Sequence, residues 1–392
     1  MRKATRLTHD DDQYFEHHGA IVPPIYQNSL FAFENWDAID QAFDEPAEAV
    51  IYTRGTNPTV KLVEEKLAQL AGGEKARLFA SGMAAISAAV MYCISAGGHI
   101  VSGQQIYGPA NSFMNDYLVE KCKVSITYVD NSVASFEQAI QEHTQLIYLE
   151  SPGSLKFPIQ DIKAICAIAQ KRGIKTIIDN TWATPYFQRP LEMGVDLEVH
   201  SCSKYLGGHS DIVSGVIIGQ KADLDQIQLR EQAWFGAKKA PFEAWLLLRS
   251  LRTLPIRMKQ HQATGMRVAQ YLKEHPAVQK VYYPGLSDFP DHALAKEQMS
   301  GFSSLLSFEL ATTDLEKIKA FVNSLSYFKL GVSWGGYESL VYAPVISYLK
   351  EQTPEQFAAM GIAAGLIRIS LGLEDVQDLI EDLDKALALV IN

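Results

Sequence analysis

From residue 60 onward the chain alternates between two hydrophobic periods. Val60–Leu70 repeats apolar residues at helical spacing, and Ser81–Ser95 does so again, opened by small residues. Short apolar runs at Ile100–Ser102, Leu146–Leu149, Thr176–Ile178 and Val216–Ile218 predict buried strands. Asp161–Arg172 places apolar side chains at 162, 165, 166 and 169, and Gly173 is a stop signal, so a helix is predicted there. Strands alternating with helices imply crossover connections and a mostly parallel sheet. Ligands of such sheets sit beyond the carboxyl ends of the strands.

The two ends read differently. Residues 1 to about 60 carry Asp10–Asp12, His17–His18, Pro23–Pro24 and Asn57-Pro58, and lack the periodic apolar positions needed for a core. They read as an irregular arm that gains order on another surface, such as a neighbouring subunit. Beyond residue 250, Pro255–Glu274 predicts a long helix and Ser304–Glu309 a half-exposed strand. Leu366–Leu371 predicts another strand, and Glu374–Ile391 a closing amphipathic helix. The expected organisation is an arm over 1–60, a larger α/β domain over 61–250 and a smaller one over 251–392.

Composition narrows the class. Of 392 residues, 47% are hydrophobic and 20% charged, which suits a globular fold. The formal charge of −10 argues against a broad nucleic-acid surface. Cysteines stand at 93, 122, 166 and 202 with no CxxC pair, so a disulfide framework is not expected. The first residues lack an apolar signal region, and no run of about 18 apolar residues occurs. A soluble, cytoplasmic enzyme with no membrane partner is expected.

The most informative stretch is Ile177-Ile-Asp179-Asn-Thr-Trp182 followed by His200-Ser-Cys-Ser203-Lys204-Tyr. Asp179 ends one apolar strand, and Lys204 follows a second apolar segment, so a parallel sheet would open both toward one edge. Pyridoxal phosphate (PLP) chemistry needs such groups. A lysine amine condenses with the aldehyde, and a carboxylate keeps the pyridine nitrogen protonated. Serine hydroxyls, as at Ser201 and Ser203, and helix N-terminal amides suit a phosphate. Taken alone, Asp179 and Lys204 also fit a helix cap and a surface lysine. The surroundings favour a site. Ser81-Gly82-Met83 is a small-residue turn opening a helix, suited to close approach of a phosphate. Tyr107 follows a strand and turn, where an aromatic ring can stack on a cofactor. Arg54, beside Tyr52 on the arm, suits a dianion.

In this order the motifs resemble the Cys/Met-metabolism family of PLP-dependent enzymes, over almost the whole chain. The landmarks are Tyr52-Thr-Arg54, Ser81-Gly-Met-Ala-Ala85, Glu150-Ser-Pro152, Asp179-Asn-Thr181, Ser201-Cys-Ser-Lys204-Tyr205, Tyr283-Pro-Gly-Leu286, Ser333-Trp-Gly-Gly-Tyr-Glu-Ser339 and Arg368-Ile-Ser-Leu-Gly-Leu-Glu-Asp375. The resemblance implies the PLP-dependent transferase fold of type I, aspartate-aminotransferase-like, and a homotetramer built from dimers that share active sites. It implies that Lys204 is the Schiff-base lysine, Asp179 the partner of the pyridine nitrogen and Tyr107 the stacking ring. Gly82 and Met83 amides, with Ser81, Ser201 and Ser203, would form the phosphate cup. Tyr52 and Arg54 would reach the phosphate of a neighbouring subunit. Arg368 would grip the carboxylate of a small amino-acid substrate, with Ser333 and Trp334 beside it.

Within that family, three features resemble β-eliminating members: Pro152-Gly153-Ser154, Trp334, and Val332 where γ-acting members carry a glutamate. Phe235-Gly-Ala237, Pro241-Phe-Glu-Ala-Trp245 and Ala183–Pro190 resemble γ-acting and Gram-positive members, and Ser112 stands where some β-lyases have an aspartate. Cystathionine β-lyase activity is the first expectation. Cystathionine γ-lyase, γ-synthase or methionine γ-lyase chemistry is the second, and a PLP-bearing regulator of weak turnover the third. A NAD-dependent dehydrogenase lacks its glycine fingerprint here. The His9, Asp10–Asp12, His17, His18 cluster lacks rigid metal-ligand spacing, so no metal is expected. Cys202 reads as a packing residue.

Overall fold

A computed structural model of the chain describes residues 2–9, 17–351 and 361–391. It divides into two compact units: Met1–Ser151 with Gln160–Pro255, and Pro152–Ile159 with Ile256–Asn392. Two assignments differ from expectation. The described part of the arm belongs to the first unit, and Pro152–Ile159, expected in the larger domain, belongs to the second.

The arm also holds two helices, α1 (Lys3–Thr8) and α2 (Trp36–Asp44), where irregular chain is expected. At six residues α1 is too short to show a period, whereas α2 carries apolar residues at 36, 38, 39, 42 and 43, a helical spacing. Leu7 is buried, and Lys66 donates to the carbonyls of Arg6 and His9 at 3.2 and 2.8 Å. Asn35 caps α2 by accepting from the Ala38 amide at 2.9 Å. For α1, tertiary contact thus supplies what the local pattern does not. Helix α3 (Pro58–Ala71) follows the predicted amphipathic segment, with Asn57 as cap, Pro58 in its first turn and left-handed Gly72 (φ 81°) at its end.

The first unit is built on seven strands: β1 (Lys75–Phe79), β2 (His99–Gly103), β3 (Ser125–Val129), β4 (Thr144–Glu150), β5 (Lys175–Asp179), β6 (Leu197–Ser201) and β7 (Gly215–Gly219). Their order is β1-β7-β6-β5-β4-β2-β3. Strands β3, β2, β4, β5 and β6 are mutually parallel, and β7 runs antiparallel to both β6 and β1. Helix α4 (Gly82–Cys93) covers one face with small and apolar residues. Phe79, Ile86, Tyr148, Ile177 and Val199 share that core, while Ile147, Leu149, Ile178 and Ile165 form the core on the other side. Burial on both faces explains the uninterrupted apolar runs of these strands.

The second unit carries β8 (Val278–Tyr282), β9 (Leu305–Leu310), β10 (Lys329–Leu330), β11 (Leu340–Tyr342) and β12 (Leu366–Ser370), in the order β10-β11-β12-β9-β8. Strand β9 corrects an expectation. It is buried almost throughout, not half exposed. It lies between β12 and β8, and Phe308 meets Phe321 of the helix Leu315–Ser324 edge-on at 6.1 Å. The alternating Ser307 is simply a buried serine.

Candidate active site

Strand direction gathers the candidate residues of the first unit along one edge. Phe79, Glu150, Asp179 and Ser201 all end strands that run the same way, and Gly215, which begins β7, stands opposite both Phe79 and Ser201. The chain leaves β1 and turns at Ser81 directly into α4. Ser81 caps that helix, its Oγ accepting from the Ala84 amide at 3.1 Å. The amides of Gly82 and Met83 precede the intrahelical ladder and are open to an anion. A Cβ on Gly82 would lie 2.8 Å from Ser201 Cβ and 3.0 Å from its Oγ. Glycine there lets the helix start sit against the end of β6, bringing the turn and the Ser201 hydroxyl together.

Asp179 is buried at the end of β5. Its Oδ1 accepts from the Thr181 amide at 2.9 Å and from the Thr181 hydroxyl at 2.5 Å. Thr181 Oγ1 in turn accepts from the Ser201 amide at 2.9 Å, tying β5 to β6. Burial raises the Asp179 carboxyl above the usual range. The Thr181 donors, then the nearby His200 and Lys204 charges, pull it back down. Asp179 and Lys204 therefore share one electrostatic environment. Oδ2 of Asp179 carries no hydrogen bond among the described residues.

Lys204 sits in the turn after β6, where its amide donates to Ser201 O at 3.2 Å and its carbonyl accepts from the Gly208 amide at 2.7 Å. Ser203 Oγ lies on the backbone of Ser214, accepting from its amide at 3.1 Å. Tyr107 begins a short helix beyond β2. Its amide donates to Glu150 Oε2 at 2.7 Å, and its ring is 41% exposed. Tyr52 and Arg54 line a different cavity of the same unit, one with none of Ser81–Met83 or Lys204 in its wall.

The second unit assembles its own group. Arg368 on β12 stands opposite Tyr342 on β11, with its guanidinium 5.1 Å from that ring. Its Nη2 donates to Val332 O at 2.8 Å, which fixes the loop carrying exposed Ser333 and half-buried Trp334. The Gly335 amide donates to Ser370 Oγ at 3.0 Å and anchors the loop's far side.

The donor set of the first unit fits PLP. A Cβ-free helix start offers amides and hydroxyls to a phosphate, an amine stands near by, and a buried carboxylate oxygen awaits a cationic donor. The family profile described as Cys/Met metabolism PLP-dependent enzyme matches residues 4–388. The chain belongs to this family. An L-methionine gamma-lyase of Porphyromonas gingivalis is 41% identical over 94% of this chain and 93% of its own. A cystathionine beta-lyase of Lactococcus lactis subsp. cremoris is 40% identical over 94% of each chain. The crystal structure of metB from Corynebacterium glutamicum superposes with a TM-score of 0.89 at 33% identity, covering 99% of this chain and 98% of that one. The protein is a PLP-dependent lyase of sulfur-amino-acid metabolism with fold type I, and its cofactor is PLP.

Two residues of the quoted motifs gain a role only from the structure. Thr181 holds Asp179, and its signal is the Asp-Asn-Thr turn, in which an aspartate accepts from the amide two residues on. Glu150 orients the Tyr107 segment, and only the pairing of β2 with β4 brings them together. Burial pushes the Cys202 thiol up to about 12, so it packs rather than attacks. No group of metal-ligating side chains occurs among the described residues, and Asp10–Asp12 lie outside them. No described helix is long and apolar enough to cross a membrane.

Proposed function

We propose that this lyase cleaves cystathionine by β-elimination, giving homocysteine, pyruvate and ammonia. The observation that carries the reading is the loop beside Arg368. The residue whose carbonyl meets the guanidinium is Val332, 75% exposed and apolar, followed by Ser333 and Trp334. A glutamate at that position would meet a distal ammonium of the substrate. Valine leaves that ammonium without a counter-charge whichever bond is cleaved, so the β reading leans on Trp334 in this loop, which resembles β-eliminating members.

The side chains divide the work. PLP, when bound, supplies the electron sink that stabilises negative charge at the substrate Cα. Lys204 would hold PLP through its amine and would serve as the base for the substrate Cα proton. Asp179 would hold the pyridine nitrogen protonated through Oδ2, and the Thr181 donors act against the rise that burial causes in its pKa. The Gly82 and Met83 amides with Ser81, Ser201 and Ser203 would hold the phosphate, and Tyr107 would stack on the ring. Arg368 grips the α-carboxylate with its two-pronged donor, assisted by Ser333. Tyr52 and Arg54 serve the phosphate of a second copy within a homotetramer.

A second reading, γ-elimination of methionine, is favoured by the identities of 41% and 40% to L-methionine gamma-lyases. Product analysis separates the two. Cystathionine cleaved to pyruvate and homocysteine supports the first. 2-Oxobutyrate from cystathionine or methionine as the main keto acid refutes it. Lys204→Ala tests the site itself: borohydride should no longer fix PLP to the chain, and normal turnover by this variant would overturn the assignment.

A further inference from the structure

The cavity that contains Tyr52 and Arg54 also contains Lys238, a residue outside every motif singled out from the sequence. About 340 Å3 of space lies among Asn28, Ser29, Tyr52, Arg54 and Lys238. That is within the range of small-molecule sites, about 300–1,000 Å3. Two cations and no carboxylate line it. Arg54 spends one donor, Nη1, on Ala233 O at 3.1 Å. Among the described residues, neither the Lys238 ammonium nor the Tyr52 hydroxyl has a hydrogen-bond or ion-pair partner.

The position of Lys238 is fixed by its neighbours. Its backbone bridges to Phe79, the last residue of β1, and the Ala80 amide donates to Ala237 O at 2.7 Å. The next residue, Lys239, is buried and neutralised: its Nζ donates to Val213 O at 2.6 Å and pairs with Glu243 at 2.9 Å. Of two consecutive lysines, one clamps the segment and the other faces the cavity without a counter-charge. Two like charges that line one cavity repel each other unless an anion lies between them.

We propose that Lys238 is the third donor, with Tyr52 and Arg54, of a receptor for a phosphate monoester dianion. Two cations match two negative charges, and the fork of Arg54, the ammonium and the phenol together can reach all three outer oxygens. A lone carboxylate would leave one cation unmatched. The inference rests on the reading of Tyr52 and Arg54 as phosphate ligands and adds a residue to it. The dianion is either the PLP phosphate presented by a second copy of the chain or a free phosphate.

The test compares the wild type with Lys238→Gln, Lys238→Arg and Arg54→Gln as full-length holoenzymes. Equilibrium dialysis gives the PLP dissociation constant, and thermal melts give the stabilisation by inorganic phosphate. Lys238→Gln should weaken PLP about tenfold or more, as expected for a hydrogen bond between charged groups, and Lys238→Arg should restore most of it. Loss of phosphate stabilisation alone in Lys238→Gln also supports the receptor and assigns it to free phosphate. If Lys238→Gln changes neither quantity while Arg54→Gln weakens PLP, the inference is overturned and the reading of Arg54 stands. If neither variant changes either quantity, the reading of Arg54 falls and the inference with it.

Discussion

Thr181 gives both its amide and its hydroxyl to the same oxygen of Asp179, at 2.9 and 2.5 Å, while its own oxygen accepts the Ser201 amide. One residue therefore lowers the pKa that burial raises at this carboxylate and fixes the adjacent strand end. Thr181→Val removes the hydroxyl and leaves the Ser201 amide without its acceptor, which costs about 1–3 kcal/mol of stability. It also takes away a donor that lowers the Asp179 pKa, so that pKa rises further above its usual range. The ionised fraction then falls, most strongly on the acid side. PLP should bind more weakly, with a larger loss at acid than at neutral pH, and Thr181→Ser should behave like the wild type. Equal PLP affinity in Thr181→Val across that range would show that the hydroxyl does not hold the carboxylate.

Gly82 and Ser201 are coupled by space alone. Gly82→Ala puts a methyl 2.8 Å from Ser201 Cβ, so the start of α4 must shift. Overpacking of this kind costs about 1–3 kcal/mol, and PLP affinity should fall with it. Adding Ser201→Gly removes the struck side chain. The double variant should regain part of the melting temperature that Gly82→Ala loses, a positive coupling measurable in a double-mutant cycle. Simple additivity would mean that the turn does not rest on Ser201.

His261 in the second unit is fully buried, with Nδ1 3.1 Å from Leu371 O and 3.0 Å from Ser304 Oγ. Burial, then the charge of Arg257, lowers its pKa from 6.5 to about 4. The unfolded chain takes up a proton near pH 6.5 while the folded chain does not until about pH 4. Stability therefore falls as pH drops through that window, by about 3 kcal/mol in all. Urea melts of His261→Gln should show a shallower loss between those two values than the wild type. Parallel acid limbs would count against a depressed His261.

Arg368 is placed to present its fork beside the Ser333 loop. Arg368→Ala should raise KM for the amino acid far more than it changes PLP binding, a loss of about 2–5 kcal/mol. Arg368→Lys should recover little, because an ammonium cannot pair with a carboxylate through two parallel donors. A KM unchanged in either variant removes Arg368 from substrate binding.

The sequence by itself determined most of the elements and named the candidate chemistry-bearing residues on them. Helix and strand periods are local, so α3, α4 and strands β2, β4, β5 and β7 lie where the apolar pattern puts them. Asp179, Lys204 and the Ser81–Met83 turn stand out because residue type and order are written in the chain. Only tertiary structure decided the rest. It made a helix of α1, whose stabilising contacts lie far along the chain, and it buried β9 by giving it neighbours on both edges. It set Gly82 against Ser201 and Thr181 between β5 and β6, through a strand register that no local pattern encodes. It also brought Lys238 beside Tyr52 and Arg54, residues far apart in the chain. A charge is legible from one letter of sequence, but whether it has a counter-charge depends on which distant segments the fold packs around it.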